Sequence, residues 1–174
     1  MISLDFKELK TLIFALHNNT TLTELNLSGN RLGSEGGKAL AEALYKNTTL
    51  THLILSHNHL CSEGGKALAV ALNVNSTLTH LNLWHNKLGT EGGKAIASAL
   101  YNNVALKYLN LSNNQLDSEV GETFLKALQR NSTLTLLNIS KNKIGFEIEK
   151  ALAGVLGKNE GRCVTLSRKT RNVY

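Results

Sequence analysis

The chain has 174 residues, 42% of them hydrophobic and 18% charged, which suits one domain with a continuous core and excludes a disordered chain. No apolar run approaches the roughly 20 residues of a membrane-spanning helix, and residues 1–19 carry Asp5, Lys7, Glu8 and Lys10 where a secretory leader would be apolar. The net charge of +6 is uneven: residues 157–174 carry +4 through Lys158, Arg162, Arg168, Lys169 and Arg171 against Glu160, and residues 1–156 only +2, so the main body is not expected to bind nucleic acid.

In chain order, residues 3–18 predict a helix, because Leu12, Ala15 and Leu16 stand 28 residues before Leu40, Ala43 and Leu44. It reads as a half-repeat that caps the first strand. The segment Leu22-x-x-Leu25-x-Leu27-x-x-Asn30-x-Leu32 then recurs from Leu50, Leu78, Leu106 and Leu134, always at a spacing of 28 residues. The last copy keeps the pattern as Leu137, Ile139, Asn142 and Ile144. Leu25 and Leu27 alternate with Glu24, Asn26 and Ser28, the period of a short strand with one apolar face. Asn30, Asn58, Asn86, Asn114 and Asn142 follow each strand, where a buried amide can satisfy free backbone groups and bond the next repeat.

Each strand is followed by a predicted helix. Ser34, Ser62, Thr90 and Ser118 are the expected N-caps, with Glu35, Glu63, Glu91 and Glu119 in the first turn. Ala39, Leu40, Ala43 and Leu44 form its apolar face, repeated at Ala67, Leu68, Ala71 and Leu72. Asn47, Asn75, Asn103 and Asn131 are expected to take a left-handed conformation just past each helix. In the last copy Phe146 replaces the N-cap and Gly154 falls inside the helix. Val164, Thr165 and Leu166 predict one final edge strand, which the basic tail would blunt. The organisation is thus one domain, 1–174: a cap at 1–19, five repeats at 20–159, and a terminal strand with tail at 160–174.

Stacking such units puts a parallel sheet inside and helices outside. Helices are about 10 Å wide and strands pack about 4.8 Å apart, so the stack curves with the sheet concave. The segments NTTLTELNLSGNRLGSEGGKALAEAL and NSTLTHLNLWHNKLGTEGGKAIASAL resemble ribonuclease-inhibitor-like leucine-rich repeats, as found in NOD-like receptors and in repeat proteins of intracellular bacteria and protists. The resemblance covers residues 3–166 and implies an α/β, right-handed leucine-rich-repeat solenoid. Ribonuclease inhibitors proper are acidic and rich in cysteine; this chain is basic and has only Cys61 and Cys163, too far apart in such a stack for the roughly 7 Å Cα limit of a disulfide. Free thiols point to a reducing compartment: the cytoplasm, or a host cytosol for a bacterial effector.

The candidate site is the concave face. Its rows read Glu24, His52, His80, Tyr108, Leu136; then Asn26, Ile54, Asn82, Asn110, Asn138; then Ser28, Ser56, Trp84, Ser112, Ser140. The departures from Asn and Ser cluster in repeats two to four, around the single tryptophan, and aromatic residues dominate interface energies. The expected partner-binding residues are Glu24, His52, Ile54, His80, Asn82, Trp84, His85, Tyr108 and Asn110. A monomer holding a protein partner, possessing no cofactor and turning over no small-molecule substrate, is the favoured reading. His52 and His80 stand one rung apart, but no carboxylate or cysteine completes a zinc set, so no metal is assigned. Glu24, His52 and Ser56 form no catalytic triad on an open sheet without an oxyanion hole, and the GSEGGKA loops lack the Lys-Ser/Thr ending of a phosphate loop. The alternative is a GTPase-activating or other catalytic-accessory protein, with Arg31 at the rim as its basic candidate.

Overall fold

The structure is a computed structural model and describes residues 6–157 and 163–166. Helix α1 (Phe6–Asn18) precedes five strand–helix units: β1 (Glu24–Asn26) with α2 (Gly33–Lys46), β2 (His52–Ile54) with α3 (Cys61–Val74), β3 (His80–Asn82) with α4 (Gly89–Ala99), β4 (Tyr108–Asn110) with α5 (Ser118–Leu128), and β5 (Leu136–Asn138) with α6 (Phe146–Gly157). Strand β6 (Cys163–Thr165) completes the order. All six strands form one parallel sheet in sequence order, the α/β leucine-rich-repeat solenoid that the repeat predicts. None of the described helices is long and apolar enough to cross a membrane.

The register aligns Leu25, Leu53, Leu81, Leu109, Leu137 and Val164 in one row. A slip of one residue would turn that row into solvent, so burial alone fixes the alignment. Leu53, Leu81, Leu109 and Leu137 are fully buried, with Leu40, Leu68, Ile96 and Phe124 from the helices. The terminal strand forms at Cys163–Thr165, one residue earlier than expected. The basic residues expected to blunt it lie outside the described residues, as do residues 1–5 of the expected cap.

Two ladders of asparagine hold the units together. Asn58 is wholly buried. Its Nδ2 donates to the carbonyls of Leu27 and Leu55 at 2.8 and 3.0 Å, and its Oδ1 accepts from the Asn30 amide at 3.0 Å. Asn86 and Asn114 repeat the pattern one unit on. The second ladder corrects an expectation. Asn47 and Asn75 follow their helices in extended conformation, with φ −72° and −71°, not left-handed. Asn75 Nδ2 donates to Leu44 and Asn47 carbonyls at 2.8 and 3.1 Å, while its Oδ1 accepts from the amides of Thr77 and Leu78. Asn103 and Asn131 do the same. These side chains tie each inter-element loop to the preceding unit, satisfying buried backbone groups that would otherwise lose their solvation.

The expected N-caps are also corrected. Ser34, Ser62 and Thr90 lie inside their helices, and α2, α3 and α4 begin without a side-chain cap. Their leading amides are met by the neighbouring unit instead: Gly33, Cys61 and Gly89 N–H donate to the carbonyls of Asn58, Asn86 and Asn114 at 2.9–3.0 Å. Only α5 carries a side-chain cap among these four, and it is Asp117 rather than Ser118, accepting from the Val120 amide at 3.3 Å. The Thr90 hydroxyl also donates to this carboxylate, and that bond holds the Asp117 carboxyl below its usual range.

Candidate functional site

The register brings the sequence-nominated residues into one surface across β1–β4. Glu24, His52, His80 and Tyr108 stand on successive strands, as do Asn26, Ile54, Asn82 and Asn110. The His52 and His80 rings stack with centroids 4.0 Å apart and 12° between planes, and Tyr108 continues the stack 5.7 Å from His80. With Ile54 and Asn82 they line a shallow hollow of about 220 Å3. At the far end Glu24 Oε1 lies 3.9 Å from His52 Nδ1.

Thr51 and Thr79 orient both rings. Their hydroxyls lie within hydrogen-bond distance of the carbonyl one repeat earlier, at 3.0 and 3.1 Å, and of His52 Nδ1 and His80 Nδ1, at 2.9 and 2.8 Å. Burial, then the neighbouring His52 and Lys107, lower the His80 pKa against the opposing pull of Glu24. Among the described residues no group of three or more His, Cys, Asp or Glu converges on a point.

Trp84 sits at the strand exit, 37% exposed. His57 meets it edge-on at 4.4 Å and 78°, and His85 lies 4.5 Å from His57. Ser56 and Ser112, at the equivalent positions after the strands on either side, are both buried. Asn113 Nδ2 contacts His85 Nδ1 at 2.5 Å. Burial, then His57, His59 and Lys87, lower the His85 pKa. Asn82 and Asn110 each turn their Oδ1 back to the amide two residues on, at 3.0 Å, so their Nδ2 groups are the donors left for a ligand. Ile54 interrupts that row with an apolar side chain.

Sequence reasoning missed two features. Among the described residues, nine non-glycine residues near the strand exits adopt positive φ, including Arg31, His57, His59, Cys61, His85, Lys87 and Lys141. The Gly29 and Gly33 positions in the first repeat were the available signal. The second feature is on the helical side, where Tyr45, Val70, Val74 and Tyr101 are exposed. There Arg130 covers the Tyr101 ring at 4.5 Å and donates to its hydroxyl at 2.6 Å. Both cysteines are free.

Fold and repeat together define a leucine-rich-repeat solenoid. A "Leucine Rich repeat" family model matches residues 18–41, 46–69, 74–97 and 130–153, and a "Leucine Rich Repeat" model matches residues 105–128. With more than half of its length matched, the chain belongs to the leucine-rich repeat family. Among solved structures it is similar to leiomodin-1 actin-binding site 2, with a TM-score of 0.77 and 24% identity over 90% of each chain. It is also similar to the tropomodulin C-terminal domain of Caenorhabditis elegans, with a TM-score of 0.76 and 18% identity over 87% of this chain and 92% of that one. At these identities the likeness is one of fold. No curated protein sequence matches the chain.

Proposed function

We propose that the chain is a non-catalytic protein-interaction module that holds a partner protein on its concave face, centred on Trp84, Tyr108 and the histidines between them. The observation that carries this reading is the pair of ring arrays, the stacked His52–His80–Tyr108 and the edge-on His57–Trp84–His85, standing on a sheet whose other outward positions are mostly Asn and Ser. Glu24, Ile54, Asn82 and Asn110 complete the contact surface. Rigid aromatic groups bury much area at small entropic cost and supply most of the energy of interfaces. The ribonuclease-inhibitor-like subtype belongs to this proposal, as does a cytosolic setting, supported by two free thiols. Leiomodin-1 binds actin through a domain of this fold, which makes actin the first named partner to assay.

A pull-down tests the reading. The Trp84→Ala, Tyr108→Ala double variant is expected to keep its circular dichroism spectrum and to lose a protein that the unmodified chain captures from cytosolic lysate. An identical set of captured proteins from both would remove the concave face from the account.

A further inference from the structure

The charges of the described residues are sorted by face. Apart from Glu24 on β1 and Asp117 before α5, the acids lie on the helices. Several are matched there: Lys38 pairs with Glu35 at 2.7 Å, Lys66 with Glu63 and Glu91 at 3.3 and 3.7 Å, and Lys94 with Glu119 at 2.9 Å. The turns leaving the strands carry Arg31, His57, His59, His85, Lys87, Lys141 and Lys143. Their one acid among the described residues, Asp117, is engaged by Thr90 and the Val120 amide. Arg31, Lys87, Lys141 and Lys143 are exposed and have no ion-pair partner among the described residues, and the same is true of Lys107 at the opposite margin of the sheet. The concave side is therefore a basic rim around a neutral, partly aromatic floor, with Glu24 at its first edge.

The backbone supplies a second, independent observation. Six of the nine non-glycine residues at positive φ are basic or imidazole side chains: Arg31, His57, His59, His85, Lys87 and Lys141. Left-handed backbone is strained for a side-chain-bearing L-residue where glycine would adopt it freely. Gly29 shows that glycine fits the position His57, His85 and Lys141 occupy in later repeats. Positive φ recurs at these turn positions from repeat to repeat, Asn113 and Gln115 included, and the strain falls mostly on basic and imidazole side chains; strain of this kind gathers at functional positions.

We infer that the partner presents an acidic segment of protein, whose carboxylates meet the rim bases while its apolar or aromatic side chains rest on the floor around Ile54, Trp84 and Tyr108. This rests on the concave-face reading and gives the partner a chemistry. Complementary charge sets register and speeds encounter, and the imidazoles of His52 and His80 with the Asn82 and Asn110 amide donors suit a peptide backbone in the floor. A nucleic acid fits less well, because its phosphates require positive charge along the whole track and the centre of this face carries Ile54, Leu136 and neutral rings.

The test uses the full chain and fluorescent poly-L-glutamate as probe, with poly-L-lysine and a single-stranded oligonucleotide as comparators, by anisotropy at low and moderate salt. Polyglutamate is expected to bind, and a Lys87→Glu, Lys141→Glu, Lys143→Glu variant to bind it about tenfold or more weakly. Two controls, Lys126→Glu with Lys150→Glu on the helices and Arg168→Ser with Lys169→Ser and Arg171→Ser in the tail, are expected to change it about twofold or less. Equal weakening by a control would reduce the attraction to general charge and overturn the inference. So would absent polyglutamate binding, or tighter binding of the oligonucleotide through the same three lysines. The Trp84→Ala, Tyr108→Ala pull-down fails separately: loss of rim dependence with the pull-down intact removes the acidic partner and leaves the concave face.

Discussion

The buried asparagines show what a single residue does in this fold. Asn58 spends both ends of its amide on backbone groups of its own and the preceding unit, and no water can replace it at zero exposure. Asn58→Ala removes one of the two asparagine donors to each of the Leu27 and Leu55 carbonyls and the acceptor of the Asn30 amide, and should lower stability by about 2–4 kcal/mol. The exposed Asn26→Ala should change it by about 0.5 kcal/mol or less. Urea unfolding measures both, and a loss under about 1 kcal/mol for Asn58→Ala would show the ladder to be dispensable. This ladder is legible in the sequence because its position after the alternating leucines is fixed. The ladder of Asn47, Asn75, Asn103 and Asn131 reads, from its neighbours in sequence, as a set of left-handed helix ends. The carbonyls its Nδ2 groups bond lie 28 and 31 residues back, so nothing in the adjacent residues announces them.

At the scale of elements, the helices pack through glycine. A Cβ on Gly37 would lie 2.8 Å from the Gly64 Cα, and one on Gly65 would lie 3.1 Å from the Gly92 Cα. Backbone cannot yield as a side chain does, so Gly37→Val forces α2 away from α3 and should cost about 1–3 kcal/mol. Gly154 in α6 has open space where its Cβ would go. Gly154→Ala should raise stability by up to about 1 kcal/mol through helix propensity alone. Opposite shifts of the melting temperature are expected, and a stabilising Gly37→Val would contradict close backbone packing. The helix faces are readable from their spacing, since Leu40, Ala43 and Leu44 all reach the core. The starts of the helices are not. Ser34 and its equivalents have the chemistry of caps, but the carbonyls of Asn58, Asn86 and Asn114 arrive from the next repeat and satisfy the leading amides first.

For the whole molecule, repetition makes the architecture legible: one unit cannot bury its own leucines, so five in-register copies imply a stack. The candidate site is legible as rows, because the 28-residue period places His52, His80 and Tyr108 side by side before any coordinates are known. The stacking of their rings, their contacts with Thr51 and Thr79, and the strained basic rim depend on side-chain orientation and turn geometry that the period does not encode. Nor does the fold constrain what an outward residue binds, and the exposed Tyr45, Val70, Val74 and Tyr101 on the helices form a rival surface. Trp84 is the only tryptophan in the chain, which gives the central claim a direct probe. Biosynthetic replacement by fluorotryptophan yields a single fluorine NMR resonance at the proposed centre of the interface. Adding a saturating amount of the protein captured from lysate should shift or broaden that resonance, whereas an unmoved, equally sharp line from a chain fully in complex would place the partner elsewhere on the molecule.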